Sequence, residues 1–408
     1  MTKANTWLLP DGMDELLPQR AAAMESLRLK LLECYRTWGY QLVRPPMLEF
    51  LESLSVGTGS DLALQTFTLT DQLSGRLLGL RADITPQVAR IDAHSLKQQG
   101  PARLCYCAPV LHSTSDALSD SRELDQIGIE LFGSESVDAD LEVVQLMLLS
   151  VEKAGALVDT SEGKLVKLDL GNVEIYRAIA QYAGLNAEAE TELSEIIQRK
   201  ALPELNAFIE KAITNDELAQ LIRQLPSLCG NIDVIGRARE VFKSISDSQV
   251  IEKLNIALSQ LEKVHQHVAQ HFEQVECYFD LGEVRGYDYH TGLVFSVYKE
   301  GFAQALAKGG RYDSIGESFG RSRPASGFSA DLRKLLCLSP LESPSELIPN
   351  AILIPINADT ALKEKVKALR AQGEVLIQAL GNHEALLENE SCNRQLVYKN
   401  SVWQVQAL

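Results

Sequence analysis

The chain has 408 residues, with 39 Lys and Arg against 55 Asp and Glu and a formal net charge of −16. That length supports a sizeable core and roughly two or three domains, while the acidic balance argues against nucleic acid as the main partner. No run approaches the roughly 18 consecutive apolar residues of a membrane span, and Met1 to Asn5 lacks a secretory leader pattern, so a cytoplasmic protein without membrane association is expected. Seven scattered cysteines argue against a disulfide framework. Cys105 and Cys107 read as small core residues on one strand rather than metal ligands.

In chain order, Leu8-Leu9-Pro10-Asp11-Gly12 reads as a turn. After Pro18, the spacing of Met24, Leu27, Leu31, Cys34/Tyr35 and Trp38 predicts an amphipathic helix that Gly39 stops. Tyr40 to Pro46 reads as extended, and its paired prolines suit a sheet edge of the kind dimers use.

The stretch from Leu77 to Gly133 organises the rest. Alternation in Gln126-Ile127-Gly128-Ile129-Glu130-Leu131 sends Ile127, Ile129 and Leu131 to one face and Gln126, Gly128 and Glu130 to the other. If the preceding strand runs through Leu80-Arg81-Ala82-Asp83-Ile84-Thr85, the same period puts Arg81, Asp83 and Thr85 on one side. Buried charge persists when paired, so these faces predict a pocket for a small polar ligand with a cationic group; a solvent-facing strand is the alternative.

Leu104 to Leu111 and Arg122 to Phe132 are predicted strands, joined by a small, acidic loop from His112 to Ser121. A helix follows from about Leu141 to Gly155, then a strand from Val166 to Leu170. Asn172 to Phe272 has a nearly continuous helical pattern, with breaks at Pro203, Asn215, Pro226 and Gly230. Within it, His265, His267 and His271 lack the carboxylate-rich setting of a metal site and read as solvated histidines. Strands return at Glu276 to Leu281 and Leu293 to Tyr298, followed by Gly309-Gly310-Arg311-Tyr312-Asp313 and a helix from Asp331 to Leu336. The double glycine lacks the ending of a phosphate loop. Ser339 to Pro349 reads as a linker. Beyond it, Ala351 to Ile356, Thr360 to Gln372, Glu374 to Leu380, a short helix near Glu384 and Gln395 to Val405 predict a small α/β module.

These pieces, over residues 6 to 338, resemble the core of class II aminoacyl-tRNA synthetases, specifically histidyl-tRNA synthetase. Pro46 sits like the proline of the dimer-forming motif 1. Arg81-Ala82-Asp83-Ile84-Thr85 is similar to the family's Arg-Pro-Glu/Asp-x-Thr, and Gln126-Ile127-Gly128-Ile129-Glu130 to its Gln-x-Gly-x-Glu. Val284-Arg285-Gly286-Tyr287-Asp288-Tyr289 resembles its histidine-specific segment, and Gly309 to Asp313 its Gly-Gly-Arg-Tyr-Asp. The implied fold is α+β: an antiparallel sheet flanked by helices in 1–171 and 273–338, a helical insertion in 172–272, a linker in 339–350 and a small C-terminal α/β domain in 351–408.

The resemblance implies a histidine pocket in which Asp83 and Thr85 receive the α-amino group and Glu130 the imidazole. Gln126 and Arg285 would take the carboxylate side, with Tyr289 and Tyr312 as walls. His290 stands where the synthetases carry a second tyrosine. The nucleotide apparatus is eroded: His112 replaces the motif 2 arginine, the loop to Ser121 has no Lys or Arg, and Asp331-Leu332-Arg333-Lys334 replaces Gly-Leu-Glu-Arg. Losing one preorganised cation costs adenylyl transfer on the order of 100-fold, so adenylation should be lost.

An intact amino-acid pocket beside a dismantled nucleotide site resembles the regulatory subunits of short-form ATP phosphoribosyltransferase. The run from Leu62 to Phe67, Asp71 to Arg76 and Arg81 to His94 carries that likeness. It implies a non-catalytic chain without cofactor or metal, which pairs with itself as a homodimer and with a short catalytic subunit. The chain would activate that subunit and confer feedback inhibition by histidine. The alternatives are a working histidyl-tRNA synthetase, a synthetase-like sensor of tRNA or another amino acid, and a ligand-free network in which Arg285, Asp83 and Glu130 satisfy one another.

Overall fold

The computed structural model describes residues 8–54, 64–114, 121–157, 166–287, 289–338, 351–356, 359–378 and 392–408. Met1 to Asn5, residues 62–63, residues 115–120 of the acidic loop, Asp288, the linker and the helix expected near Glu384 lie outside the described residues. The chain divides into two units, Met1–Glu15 with Met24–Ser339, and Leu16–Ala23 with Pro340–Leu408.

The predicted first helix spans Pro18–Thr37, with Leu27, Leu31 and Tyr35 fully buried. Each such side chain contributes roughly 1.5–3 kcal/mol by leaving water. Gly39, at φ 84°, ends it in a conformation glycine adopts without strain.

Strands of the first unit are β1 (Gln41–Leu42), β2 (Leu48–Phe50), β3 (Phe67–Thr70), β4 (Leu77–Leu80), β5 (Ala102–Leu111) and β6 (Glu123–Phe132). They continue with β7 (Val166–Asn172), β8 (Cys229–Gly230), β9 (Val275–Asp280), β10 (Leu293–Lys299), β11 (Ala307–Arg311) and β12 (Ala325–Asp331). A nine-stranded mixed sheet runs in the order β1-β5-β6-β12-β11-β10-β7-β9-β8, and a separate three-stranded sheet in the order β2-β4-β3. Pairing from β5 through β6, β12, β11 and β10 to β7 is antiparallel, while β1 with β5 and β7 with β9 are parallel.

The apolar face expected of β6 is present, with Ile127, Ile129 and Leu131 at 0%, 0% and 1% exposure. Cys105 is buried and Cys107 half-buried, both free.

The alternation read through Thr85 requires correction. β4 ends at Leu80, and Thr85–Arg90 is a helix with Pro86 in its first turn, where the missing N–H costs no helical bond. Arg81 turns away from the polar face: its Nε donates to Pro109 O at 2.9 Å and its Nη1 to Pro45 O at 2.8 Å. It thus ties β4 to β5 and to the turn before β2.

β12 carries no sequence signal, because Ala325-Ser326-Gly327-Phe328-Ser329-Ala330 is mostly small and weakly β-forming. It nevertheless lies at the centre of the sheet, between β6 and β11.

The stretch after β7 folds as helices Val173–Tyr182, Ala187–Gln198, Leu202–Ala212, Asp216–Gln224, Asp233–Phe242 and Ser248–His271. Of its predicted breaks, Asn215 caps a helix, Pro203 opens one rather than ending it, Pro226 lies in the short turn Leu225–Ser227 and Gly230 in β8. Asn172, Asn186 and Asp247 cap other helices by accepting from N-terminal N–H groups. In the last helix, His267 Nε2 bonds Gln145 Oε1 at 3.1 Å and His271 Nδ1 bonds His267 O at 2.8 Å.

The second unit has a four-stranded sheet, β14 (Leu376–Gln378), β13 (Ala351–Ile354), β15 (Cys392–Lys399) and β16 (Val402–Ala407) in that spatial order. The stretch read as one element from Gln395 to Val405 is a hairpin turning at Asn400 and Ser401, which have φ 52° and 64°. Ile352, Ile354, Leu362, Leu369, Leu376 and Leu396 form its core against the helix Thr360–Ala371.

Candidate functional site

The site grows from the polar face of β6. Glu130 is 1% exposed, and Tyr106 OH donates to its Oε1 at 3.1 Å while Tyr312 OH donates to Oε2. Thr85 Oγ1 lies 3.3 Å from Tyr106 OH and extends the chain of hydroxyls. Gln126 Nε2 donates to Asp83 Oδ1 at 2.8 Å, and Thr85 N to the same oxygen at 3.0 Å. Gln126 Oε1 accepts from Ile84 N at 2.9 Å, so the amide fixes both Asp83 and the turn that carries it. Tyr289 stacks on Tyr312 with ring centroids 5.1 Å apart, and its buried hydroxyl has no partner among the described residues.

Six of the expected site residues, Asp83, Thr85, Gln126, Glu130, Tyr289 and Tyr312, are thus brought together. Tyr106 belongs with them and was not anticipated. Its sequence signal was the register: Tyr106 lies directly opposite Gly128, whose missing side chain leaves room for the phenol. Gly327 is required for the same reason, since a Cβ there would run into the Glu130 carboxylate.

Burial pushes the Glu130 carboxyl up to about 8; the hydroxyls of Tyr312, Thr85 and Tyr106 pull it down, and the charge of Asp83 pushes it up. Burial and the nearby carboxylates hold Tyr106, Tyr289 and Tyr312 well above the ordinary phenol range, so they serve as hydroxyl donors at neutral pH. A ligand offering a donor or a cation would satisfy both carboxyls and the orphan Tyr289 hydroxyl.

Arg285 is placed elsewhere. Its Nε donates to Glu283 at 2.8 Å, its Nη2 reaches Asp169 at 3.1 Å, and its Nη1 donates to Tyr298 OH at 2.9 Å. The ligand-free network of Arg285, Asp83 and Glu130 is therefore not formed. His290 packs edge-on to Tyr289 and bonds Arg311 O through Nδ1 at 3.3 Å; burial holds it down at about 4, neutral at physiological pH.

The cations of the segment that stands for Gly-Leu-Glu-Arg are held internally, and Glu123 and Asp125 fall on the face of β6 that carries Ile127 and Ile129 rather than on that of Glu130. Arg333 meets Asp125 at 2.7 Å and Glu123 at 3.1 Å, and Lys334 donates to Gln304. His112, in the motif 2 arginine position, bonds Ala82 O at 3.0 Å. Arg122 sits over the Phe67 ring and donates to His112 O at 3.2 Å.

Residues 12–335 match the family model of histidyl-tRNA synthetase, and residues 349–406 match that of the ATP phosphoribosyltransferase subunit HisZ C-terminal domain. An ATP phosphoribosyltransferase regulatory subunit from Chromohalobacter salexigens is 48% identical over 408 residues, all of both chains. The chain belongs to the ATP phosphoribosyltransferase regulatory subunit family. A second member, from Pseudomonas fluorescens, is 45% identical over 99% of each chain. Among solved structures, an ATP phosphoribosyltransferase regulatory subunit/histidyl-tRNA synthetase from Bacillus halodurans matches with a TM-score of 0.80 at 27% identity. That match covers 96% of this chain and 98% of that one. Histidyl-tRNA synthetase from Nostoc, at 18% identity and a TM-score of 0.74 over 96% of this chain and 91% of that one, shares the class II fold. Membership in the regulatory subunit family makes the chain's role regulation of ATP phosphoribosyltransferase, in histidine biosynthesis.

Proposed function

We propose that this regulatory subunit is non-catalytic, activates a short catalytic chain, and carries feedback inhibition by histidine in its own pocket. The observation that carries the reading is Glu130. It is a fully buried carboxyl facing the hydroxyls of Tyr106, Thr85 and Tyr312 with no cation in contact among the described residues, an arrangement costly to keep unless a guest completes it. Asp83 and Thr85 would receive the α-amino group and Glu130 the imidazole, and Tyr289 and Tyr312 would wall the ring. Gln126, expected on the carboxylate side, instead holds Asp83 and Ile84 N and acts by positioning Asp83. Lys334 and His112 in the places of arginines, with Lys334 engaged by Gln304 and Arg122 by His112 O, support the absence of adenylation.

The paired prolines and the exposed two-residue edge strand β1, where Leu42 is 60% exposed, support a homodimer within the larger assembly. The acidic surface gives no support to a nucleic-acid partner. Regulation requires two states of the hetero-oligomer, with histidine binding one of them better.

The test is the rate of phosphoribosyl-ATP formation by a purified short catalytic subunit, with and without this chain, each with and without histidine. Faster turnover that histidine suppresses is expected, with no histidine-dependent exchange of pyrophosphate into ATP by this chain alone. An unchanged rate together with no complex on a sizing column contradicts the proposal.

A further inference from the structure

The polar face of β6 continues across the sheet as a floor of small residues. In register, Glu130 is followed by Gly327, Gly310, Val294 and Gly171 on the neighbouring strands. The next row is Gly128, Ser329, Lys308, Ser296 and Asp169. The glycines make room for side chains that lie over them, Glu130 over Gly327, Tyr106 over Gly128, His290 over Gly310 and Glu283 over Gly171, and Lys308 stands exposed in the second row between Ser329 and Ser296. Alternation along β11 puts Lys308 on the same side as Gly310 and Tyr312, the latter of which contacts Glu130.

The cations around the site are otherwise engaged. Arg81 is bound to backbone carbonyls, Arg285 to Glu283 and Asp169, Arg311 to Asp140 on the opposite face of the sheet, and Arg333 to Asp125. Lys308 is exposed and makes no ion pair among the described residues. Lys167 shares the floor but lies on β7, two strands further from β6. The segments outside the described residues contain no Lys or Arg except Lys3 and Lys164. Burial drives His290 down, and the Lys308 ammonium adds to that push, so its charge acts on the pocket wall.

β11 lies two strand spacings, roughly 10 Å, from β6, a distance that a lysine stem and an amino-acid-sized ligand span together. We infer that Lys308 receives the carboxylate of the bound amino acid, so that Asp83, Glu130 and Lys308 read amine, imidazole and carboxylate in turn. This inference rests on the histidine-pocket reading and replaces Arg285, which the resemblance placed in that role. Arg285 stays with Glu283 and Asp169 when the pocket fills.

The test is calorimetric titration of the full-length chain with L-histidine and with L-histidinol, which keeps the amine and the imidazole but replaces the carboxylate by a hydroxymethyl group. The wild type should bind histidine about 10-fold or more tighter than histidinol, as expected for one charge-assisted contact. Lys308→Ala should weaken histidine alone and bring the ratio to about one, while Lys308→Arg keeps most of it. A Lys308→Ala ratio equal to the wild type's overturns the inference, as does loss of discrimination in Arg285→Ala with its retention in Lys308→Ala. Equal wild-type affinity for both ligands also overturns it while leaving the pocket intact. Binding of neither ligand by the wild type overturns the pocket reading, and this inference with it.

Discussion

At one end of β6, Glu123 and Asp125 meet the Arg333 guanidinium; at the other, Glu130 meets the hydroxyls of Tyr106, Thr85 and Tyr312. The two ends belong to one strand of one sheet, yet they use their carboxyls in opposite ways. The first end pairs its charges internally, on the face that carries Ile127 and Ile129. The second keeps a buried acid and an orphan tyrosine hydroxyl, which an incoming amine or imidazole would complete. On the proposed reading the fold keeps its recognition end, while the carboxyls at the other end of the strand are held in arginine pairs.

The sharpest way to break this contrast is to disarm the recognition end. Asp83→Ala removes the carboxylate that Gln126 and Thr85 position, and histidine affinity measured by calorimetry should fall about 100-fold, the scale of a lost charged hydrogen bond. Gly327→Ala comes next: its methyl displaces the Glu130 carboxylate, so histidine affinity should fall about 10-fold and thermal unfolding should come at lower temperature.

Disarming the other end should spare recognition. Arg333→Ala leaves Asp125 and Glu123 without their partner and should cost about 1–3 kcal/mol in a denaturant titration, with histidine affinity unchanged. A parallel loss of affinity would show that the two ends are not independent.

The smallest expected effect is a pH slope. Glu130 unfolded ionises near its ordinary 4.5, whereas the buried carboxyl holds its proton to about 8. The folded state therefore binds more protons in between, and this contribution to stability is full below pH 4.5 and lost as pH rises through 8. His290, held at about 4, works the other way between 6.5 and 4, so the informative quantity is the difference between wild type and Glu130→Gln. The wild-type melting temperature should decline more steeply from pH 5 to 8 than that of the variant.

Much of this contrast was legible in the sequence, because strand alternation and charge are local properties. The face of Gln126, Gly128 and Glu130 follows from a period of two, and the absence of Lys and Arg from 113–121 needs no structure. Three things were not legible. β12 is a strand because its neighbours demand it, and its small residues, which give the weakest propensity, are the ones Glu130 requires beside it. Thr85 reaches the pocket from a helix rather than a strand, since Pro86 starts a helix after the turn at Ala82. Arg285 carries the family's motif but finds Glu283 two residues away and Asp169 across the sheet, a competition between partners that spacing alone does not decide.

The most direct test is the histidine inhibition curve of the complex with the short catalytic subunit, built once with the wild-type chain and once with Glu130→Gln, each normalised to its own rate without histidine. The half-inhibiting histidine concentration should rise about 10-fold or more in the variant, because an amide replaces the acid that faces the imidazole. Superimposable curves would mean that inhibition does not pass through this pocket and would contradict the account.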